Sequence, residues 1–297
     1  MEKLSLLGLG DMGASLASVL IQNGYDVTVW NRSPARSEPF AKVGATVAES
    51  AAQAIGASST VLFCVKTHAD TLNLINLEPD LLKGRRIIEL STGDGPAAAK
   101  LSARITELGA TCQIAMILAG PAQIGQDGTA FLMAGDAKAW EQAEPIIRTL
   151  APASDYIGAD VTHLADLFSA LFLPRQGAMF GMIYGAHFCE VAGVPMDVYL
   201  KQLPAAMRVA TELYAPTVAA TIPHDDYSGS GSPLKVYEHA FRDGFASFRT
   251  RGANMELSDL FEKLIAEGMK EGYAEEHLTS LIKVLRKGPN GSENNQV

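Results

Sequence analysis

Gly8, Gly10 and Gly13 stand at the spacing Gly-x-Gly-x-x-Gly, behind the apolar run Leu4-Ser5-Leu6-Leu7 and ahead of an apolar-periodic stretch that opens at Asp11-Met12. In a strand–turn–helix setting the first glycine makes a tight turn. The second lets a pyrophosphate come against the backbone, and the third lets the helix pack closely on the strand. Free N–H groups and the dipole at the helix N-terminus then hold the phosphates. Gly8, Leu9, Gly10, Asp11, Met12 and Gly13 are therefore the expected dinucleotide-binding turn. A second strand, Tyr25–Trp30, follows closely and ends in Asn31-Arg32-Ser33, with Arg36 within reach. A carboxylate at that tip would take a ribose 2′-hydroxyl and repel a 2′-phosphate. Asn31, Arg32, Ser33 and Arg36 suit the phosphate instead, so the expected cofactor is NADPH.

Strand-like runs alternate with helical ones from residue 1 to about 160, the pattern of an α/β, doubly wound, mostly parallel sheet. Beyond the first two strands, the runs are Ala45–Val47, Thr60–Val65, Arg86–Leu90, Thr111–Ile117 and Ala130–Met133. A helix is expected near Pro34–Lys42. Loops that follow such strands line the carboxyl edge of the sheet, where ligands sit. Cys64, Val65, Lys66, Ser91 and Thr92 are accordingly candidates to face cofactor or substrate.

From about residue 161 the pattern is helical throughout. Leu164–Val191 is apolar nearly all round, which calls for burial within an assembly. Pro174 in mid-helix costs about 3 kcal/mol unless a kink accommodates it, so a bend is expected there. Further helices are expected at Asp197–Ala220, Leu234–Arg251, Glu256–Glu271 and Glu275–Leu285, with a Gly/Ser hinge at Tyr227–Pro233. The tail Gly288–Val297 is polar and aperiodic and is expected to be disordered.

The totals narrow the function further. At 297 residues the chain has room for two domains. A net charge of −9 argues against a nucleic-acid partner, while an anionic cofactor needs only a local basic cluster. Cys64, Cys112 and Cys189 follow neither metal nor disulfide spacing, and the six histidines are scattered, so no metal site is expected. No nucleophile elbow supports serine-hydrolase chemistry. The start of the chain runs directly into the first strand, no apolar run suits a bilayer, and the expected location is cytoplasmic, away from membranes.

Gly8-Leu9-Gly10-Asp11-Met12-Gly13, Val29-Trp30-Asn31-Arg32-Ser33-Pro34 and the loop Ile117–Gly125 resemble the β-hydroxyacid dehydrogenase superfamily. Within it the chain is most similar to the imine reductases and reductive aminases. Asp225-Asp226-Tyr227 and Gly231-Ser232 resemble their segment before the last helices. The resemblance implies an NADP(H)-binding Rossmann domain over 1–160, then an interdomain helix and an all-α dimerisation and substrate domain over 161–287. It also implies a homodimer whose helical domains are swapped, and a substrate that is an imine, or a ketone plus an amine.

The hydroxyacid enzymes carry a proton-transferring lysine on the interdomain helix. Registers run from Gly158 and from Gly193 both put Phe168 at that position, and no lysine lies between Lys138 and Lys201. General acid–base catalysis contributes about 10²–10⁴-fold, so its loss argues against alcohol chemistry. The imine reductases usually carry Asp or Tyr at the same position, and Phe168 can donate nothing. Asp166 is the nearest carboxylate but lies two residues away, on the other side of a helix. Phe172, Arg175 or Gln176, and Met179 continue the face of Phe168. By the same resemblance Gln176 replaces a tyrosine, Thr92 takes a polar loop position, and Tyr237 lines the pocket from the partner chain.

An iminium arrives already charged, so it needs positioning more than proton transfer. Phe168, Phe172, Met179 and Phe180 would offer it an apolar cleft with aromatic faces. The reading is NADPH-dependent imine reduction, with the proton donor unassigned. Two alternatives stand beside it: a superfamily oxidoreductase acting on a small carbonyl acid, and an NADPH-binding protein without activity.

Overall fold

The structure, a computed structural model, describes residues 2–229 and 231–287. The tail expected to be disordered, Gly288–Val297, lies outside the described residues, as does Ser230 of the hinge.

Strands β1 (Lys3–Leu7), β2 (Asp26–Trp30), β3 (Thr46–Val47), β4 (Thr60–Phe63), β5 (Arg86–Glu89), β6 (Thr111–Ile117), β7 (Phe131–Gly135) and β8 (Asp155–Gly158) form one sheet. Their order is β3-β2-β1-β4-β5-β6-β7-β8. Neighbours are parallel except for the antiparallel pair β6–β7. The direction of winding reverses beside β1, which pairs with β2 on one side and β4 on the other. That switch point is where doubly wound sheets bind ligands.

Burial follows the strand period on both faces. Leu4, Leu6, Val27, Val29, Leu62 and Ile88 belong to one core, with Leu16 and Leu20 of α1 (Asp11–Gln22). Leu7, Val61, Phe63 and Ile87 belong to the other, under α3 (Ala51–Ala57), α4 (His68–Leu77) and α5 (Gly95–Glu107), while α2 (Glu38–Ala41) and α6 (Ala137–Leu150) pack on the first core with α1. Strands buried on both faces read as near-continuous apolar runs, which is why they were legible.

The helical half consists of α7 (Thr162–Ala192), α8 (Met196–Arg208), α9 (Ala215–Thr221), α10 (Leu234–Thr250), α11 (Glu256–Lys270) and α12 (Leu281–Arg286). Pro174 lies inside α7 and does not interrupt it. The chain packs as two compact units, one running through Phe172 and the other from Leu173 onward. Val161 and Leu164 join the second core of the sheet unit, so packing carries that unit past the last strand and into α7.

Several elements differ from expectation. Strand β8 was not expected: four residues without apolar alternation gain their partners only by pairing with β7. The stretch Pro34–Lys42 is a 3₁₀ turn, Pro34–Arg36, followed by α2. The single helix expected at Asp197–Ala220 is α8 and α9 joined by a π-helical turn, Val209–Tyr214, ahead of Pro216. Proline has no N–H to continue an α ladder. The last helix starts late because the backbone before it is tied elsewhere. The Leu234 N–H donates to Glu276 O at 2.7 Å and the His277 N–H donates to Tyr227 O at 2.9 Å.

Candidate active site

Backbone packing builds the glycine turn. Gly8 has a φ of +101°, and a Cβ there would lie 2.3 Å from the Cys64 carbonyl oxygen. A Cβ on Gly13 would lie 2.0 Å from the Gly8 carbonyl oxygen. Only glycine fits at either place, so α1 and the end of β4 both press against the turn. Gly10 serves another purpose. It caps α1 without a side-chain hydrogen bond, and a Cβ on it would meet nothing within 4 Å. It lines a cavity of about 780 Å³, so the amides of the first helical turn are open to an anion.

The same cavity is lined by Gly8, Asp11, Met12, Gly13, Asn31, Arg32, Ser33, Arg36, Cys64, Val65 and Lys66. It does not reach Leu9, Ser91 or Thr92. Leu9 is buried beneath the turn and held at both backbone atoms. Its N–H donates to Asn31 Oδ1 at 2.9 Å, and its carbonyl accepts from Arg36 Nη1 at 3.2 Å. Asn31 also donates from Nδ2 to the Ser33 carbonyl at 3.2 Å. Asn31 is thus engaged as a clamp on the glycine turn, while Arg32 stands exposed at the tip of β2. Ser91 is buried and its Oγ accepts the Val65 N–H at 3.0 Å. Thr92 is exposed and bridges to Thr67. Burial, with a smaller contribution from the charge of Glu89, pushes the Cys64 thiol up to about 12. Cys64 is therefore a wall of the cavity and not a nucleophile.

One side of this cavity is formed by residues outside the expected set. Asp70, Asn73, Leu74 and Leu77 line it from α4, at the i, i+3, i+4, i+7 spacing of one helical face. The signal was present in Thr67-His68-Ala69-Asp70. The Thr67 hydroxyl accepts the Asp70 N–H at 3.2 Å and donates to Asp70 Oδ2 at 2.6 Å, marking a helix start at the sheet edge.

On α7, Phe168 is half-buried with its ring 5.5 Å from that of Phe172, one turn on, whereas Asp166 is exposed. In the unit from Leu173 onward, Gln176 is half-buried and Met179 and Phe180 are exposed. Tyr237 on α10 is half-buried, its ring 6.3 Å from that of His277 in an edge contact. Tyr214 joins them, 5.9 Å from His277, and burial followed by the charge of Tyr237 pushes its hydroxyl up to about 12. His277 Nδ1 accepts the Thr279 N–H at 3.2 Å, and burial holds the imidazole below its ordinary value. Tyr214 and His277 carried no sequence motif. A ring cluster drawn from a π-helical turn, α10 and the isolated bridge at His277 leaves none.

Residues 3–158 match the NAD binding domain of 6-phosphogluconate dehydrogenase, and residues 169–287 match the NADPH-dependent reductive aminase-like C-terminal domain. The chain belongs to the imine reductase and reductive aminase family. Within that family it is 24% identical over 293 residues to the NADPH-dependent reductive aminase of Aspergillus oryzae, covering 97% of this chain and 99% of the relative. The imine reductase from Pseudomonas sp. superposes with a TM-score of 0.85 at 29% identity, covering 96% and 99% of the two chains. A reductive aminase from Aspergillus terreus, solved with cyclohexanone and allyl amine, superposes with a TM-score of 0.82 at 26% identity, with the same coverage. Family membership makes this chain an oxidoreductase with a nicotinamide cofactor, and the glycine turn, its open amides and the cavity fit that group.

Proposed function

We propose that this protein is an NADPH-dependent imine reductase that works without a carboxylate or tyrosine at the usual acid position of α7. The observation that carries the reading is α7 itself: it contains no lysine for alcohol proton transfer, and Phe168, half-buried against Phe172, stands where the sequence register puts the acid. When bound, NADPH supplies the hydride that goes to the C=N carbon. The amides after Gly10 hold the pyrophosphate, Arg32 and Ser33 take the 2′-phosphate, and Cys64, Val65 and Lys66 wall the cavity beyond it. In this reading Phe168 and Phe172 orient the substrate, and Thr92 is a polar residue of the loop after β5. Hydride addition to an iminium gives the neutral amine directly, and water or a tyrosine such as Tyr237 supplies any proton that a neutral imine needs to become one. The substrate is a preformed imine, or a ketone plus an amine.

We further propose a cytoplasmic homodimer in which each site takes its Tyr237 from the partner's helical domain. The support is the apolar surface of the helical unit, where Leu173, Ile183 and Leu213 are 74, 63 and 68% exposed. α7 is also apolar nearly all round, and a helix of that kind is buried within an assembly. No helix among the described residues is long and apolar enough to cross a membrane.

One panel tests the activity. NADPH consumption is followed with a cyclic imine and with a ketone plus an amine, and NADP⁺ reduction is followed with 3-hydroxy acids. Turnover with the imine is the expected result. Turnover only with the hydroxy acids would overturn the reading in favour of alcohol chemistry, and no turnover at all would leave an NADPH-binding protein.

A further inference from the structure

Two ionisable side chains under the carboxyl edge of the sheet take no part in the reading above. Glu89, the last residue of β5, is fully buried, and His68, the first of α4, is 4% exposed. His68 Nδ1 lies 3.1 Å from Glu89 Oε1, and that oxygen also accepts the Ser91 N–H at 3.1 Å. Ser91 Oγ accepts the Val65 N–H at 3.0 Å and lies 3.4 Å from Thr71 Oγ1. The His68 N–H donates to the Thr92 carbonyl at 3.2 Å. A continuous polar path therefore ties the loop after β4 to the loop after β5, and it ends at Val65, which lines the dinucleotide cavity.

Stability is a poor reason for this arrangement. Buried ion pairs are often no better than apolar residues of the same volume, and here Glu89 Oε2 is buried with no hydrogen bond among the described residues. The glycine at position 93 points the same way. A Cβ there would lie 2.1 Å from His68 Cδ2, with only imidazole atoms as its nearest neighbours, and the Gly93 backbone lies outside the left-handed region. The imidazole is what bars a side chain at that position. The topology supplies the use. The tip of β2 takes the adenosine ribose, so the other half of a dinucleotide extends over β4 and β5.

We propose that His68 and Glu89 are a buried positioning pair that locks the loops Cys64–Thr67 and Ser91–Gly93 together and so sets the nicotinamide side of the cofactor site. This rests on the dinucleotide reading above. A wall displaced by about 1 Å costs up to about a hundredfold in rate. The pair acts through Val65 and Ser91 and touches neither cofactor nor substrate itself.

The test measures NADPH Kd by fluorescence titration, single-turnover hydride transfer to a cyclic imine, and Tm, on the full chain. His68→Ala should raise Kd and slow hydride transfer by about ten- to a hundredfold in protein that is still folded. Glu89→Gln keeps an acceptor oxygen for Ser91 and His68 and should stay near wild type. Gly93→Ala should mimic His68→Ala by displacing the ring, and the double variant should be no worse than His68→Ala alone. Where His68→Ala does not fold, Gly93→Ala carries the same comparison. A lowered Tm with unchanged Kd and rate overturns the proposal, as does an additive double variant. Wild-type protein that binds no NADPH sinks the dinucleotide reading and the pair with it. Wild-type protein that binds NADPH while folded His68→Ala binds it equally well sinks the pair alone. If no imine is reduced, Kd decides.

Discussion

The sheet unit and the helical unit dispose their apolar residues in opposite ways. In the first, Leu4, Leu6, Leu7, Leu62, Phe63, Ile75 and Phe131 are fully buried by elements of the same unit. In the second, Phe188, Tyr227, Leu234, Ala253 and Ile265 are buried, while Leu173, Ile183, Leu200, Val209 and Leu213 are each exposed to water over more than half their surface. A parallel sheet is covered on both faces by its own crossover helices. A set of long helices joined by short turns has no such guarantee. The sheet unit buries its own apolar residues and carries the cavity lined by the glycine turn. The helical unit leaves large apolar side chains in water.

The same substitution made in each unit should expose the contrast most strongly. Leu62→Ala should cost about 2–5 kcal/mol of stability, the price of a core cavity, as measured by denaturant unfolding. Leu213→Ala should leave the protomer folded and instead weaken self-association, by about tenfold or more given the ~1.5–3 kcal/mol of a buried leucine. Light scattering at micromolar concentration reads this, and a wild-type monomer would contradict the covered surface.

Arg32→Ala tests whether the sheet unit alone decides cofactor choice. A charge-assisted hydrogen bond contributes roughly 1.5–3 kcal/mol, so KM for NADPH should rise about ten- to a hundredfold while that for NADH stays nearly level. Equal losses with both cofactors would remove Arg32 from the 2′-phosphate.

Acid should separate the units, because the helical one is tied by titrating groups. Asp225, which sits at a φ of +52°, is held below its usual range by the Arg286 guanidinium, with Oδ1 2.7 Å from Nη1, and by the Tyr227 hydroxyl. A depressed carboxylate contributes stability above its ordinary 3.8, and that contribution is lost as pH falls through the folded value. His277 is depressed by burial, so the unfolded chain binds its proton first and stability falls as pH drops below the ordinary 6.5. Both signs agree. Trp30 and Trp140 are the only tryptophans and lie in the sheet unit. Far-UV circular dichroism should therefore change before tryptophan fluorescence as pH is lowered from 6.5 towards 3, and coincident transitions would refute the order.

The smallest effect expected is at Asp166. As an exposed carboxylate on α7 it should tolerate Asn with nearly unchanged imine reduction, whereas Phe168→Asp should keep NADPH binding and shift the pH profile of the rate by placing a titrating group near the reacting nitrogen. A loss of more than about a hundredfold on Asp166→Asn would mean that Asp166 is the acid, since that is the scale a general acid supplies.

How much could be read in advance depended on how local each feature is. The turn Gly8–Gly13 and the tip Asn31–Ser33 were legible because strand, turn and helix are consecutive. Asn31 is the instructive exception. Its residue type suited a phosphate, but its side chain is engaged by Leu9, 22 residues away, and that partner is a matter of tertiary packing. The α4 face at Asp70, Asn73, Leu74 and Leu77 had a capping signal, yet nothing local says which wall it forms.

By itself, then, the sequence determined the doubly wound unit, the carboxyl edge that its loops line and the anion-ready helix start. Those follow from near-continuous apolar strand runs alternating with helical ones, from three glycines at fixed spacing and from the backbone groups that a helix leaves free. Only the tertiary structure decided that β8 joins the sheet, that Glu276 and His277 delay the last helix, and that His68 and Glu89 meet beneath the cavity. Each of these depends on a hydrogen-bond partner from a distant element, and short polar segments carry no periodicity that names their partners.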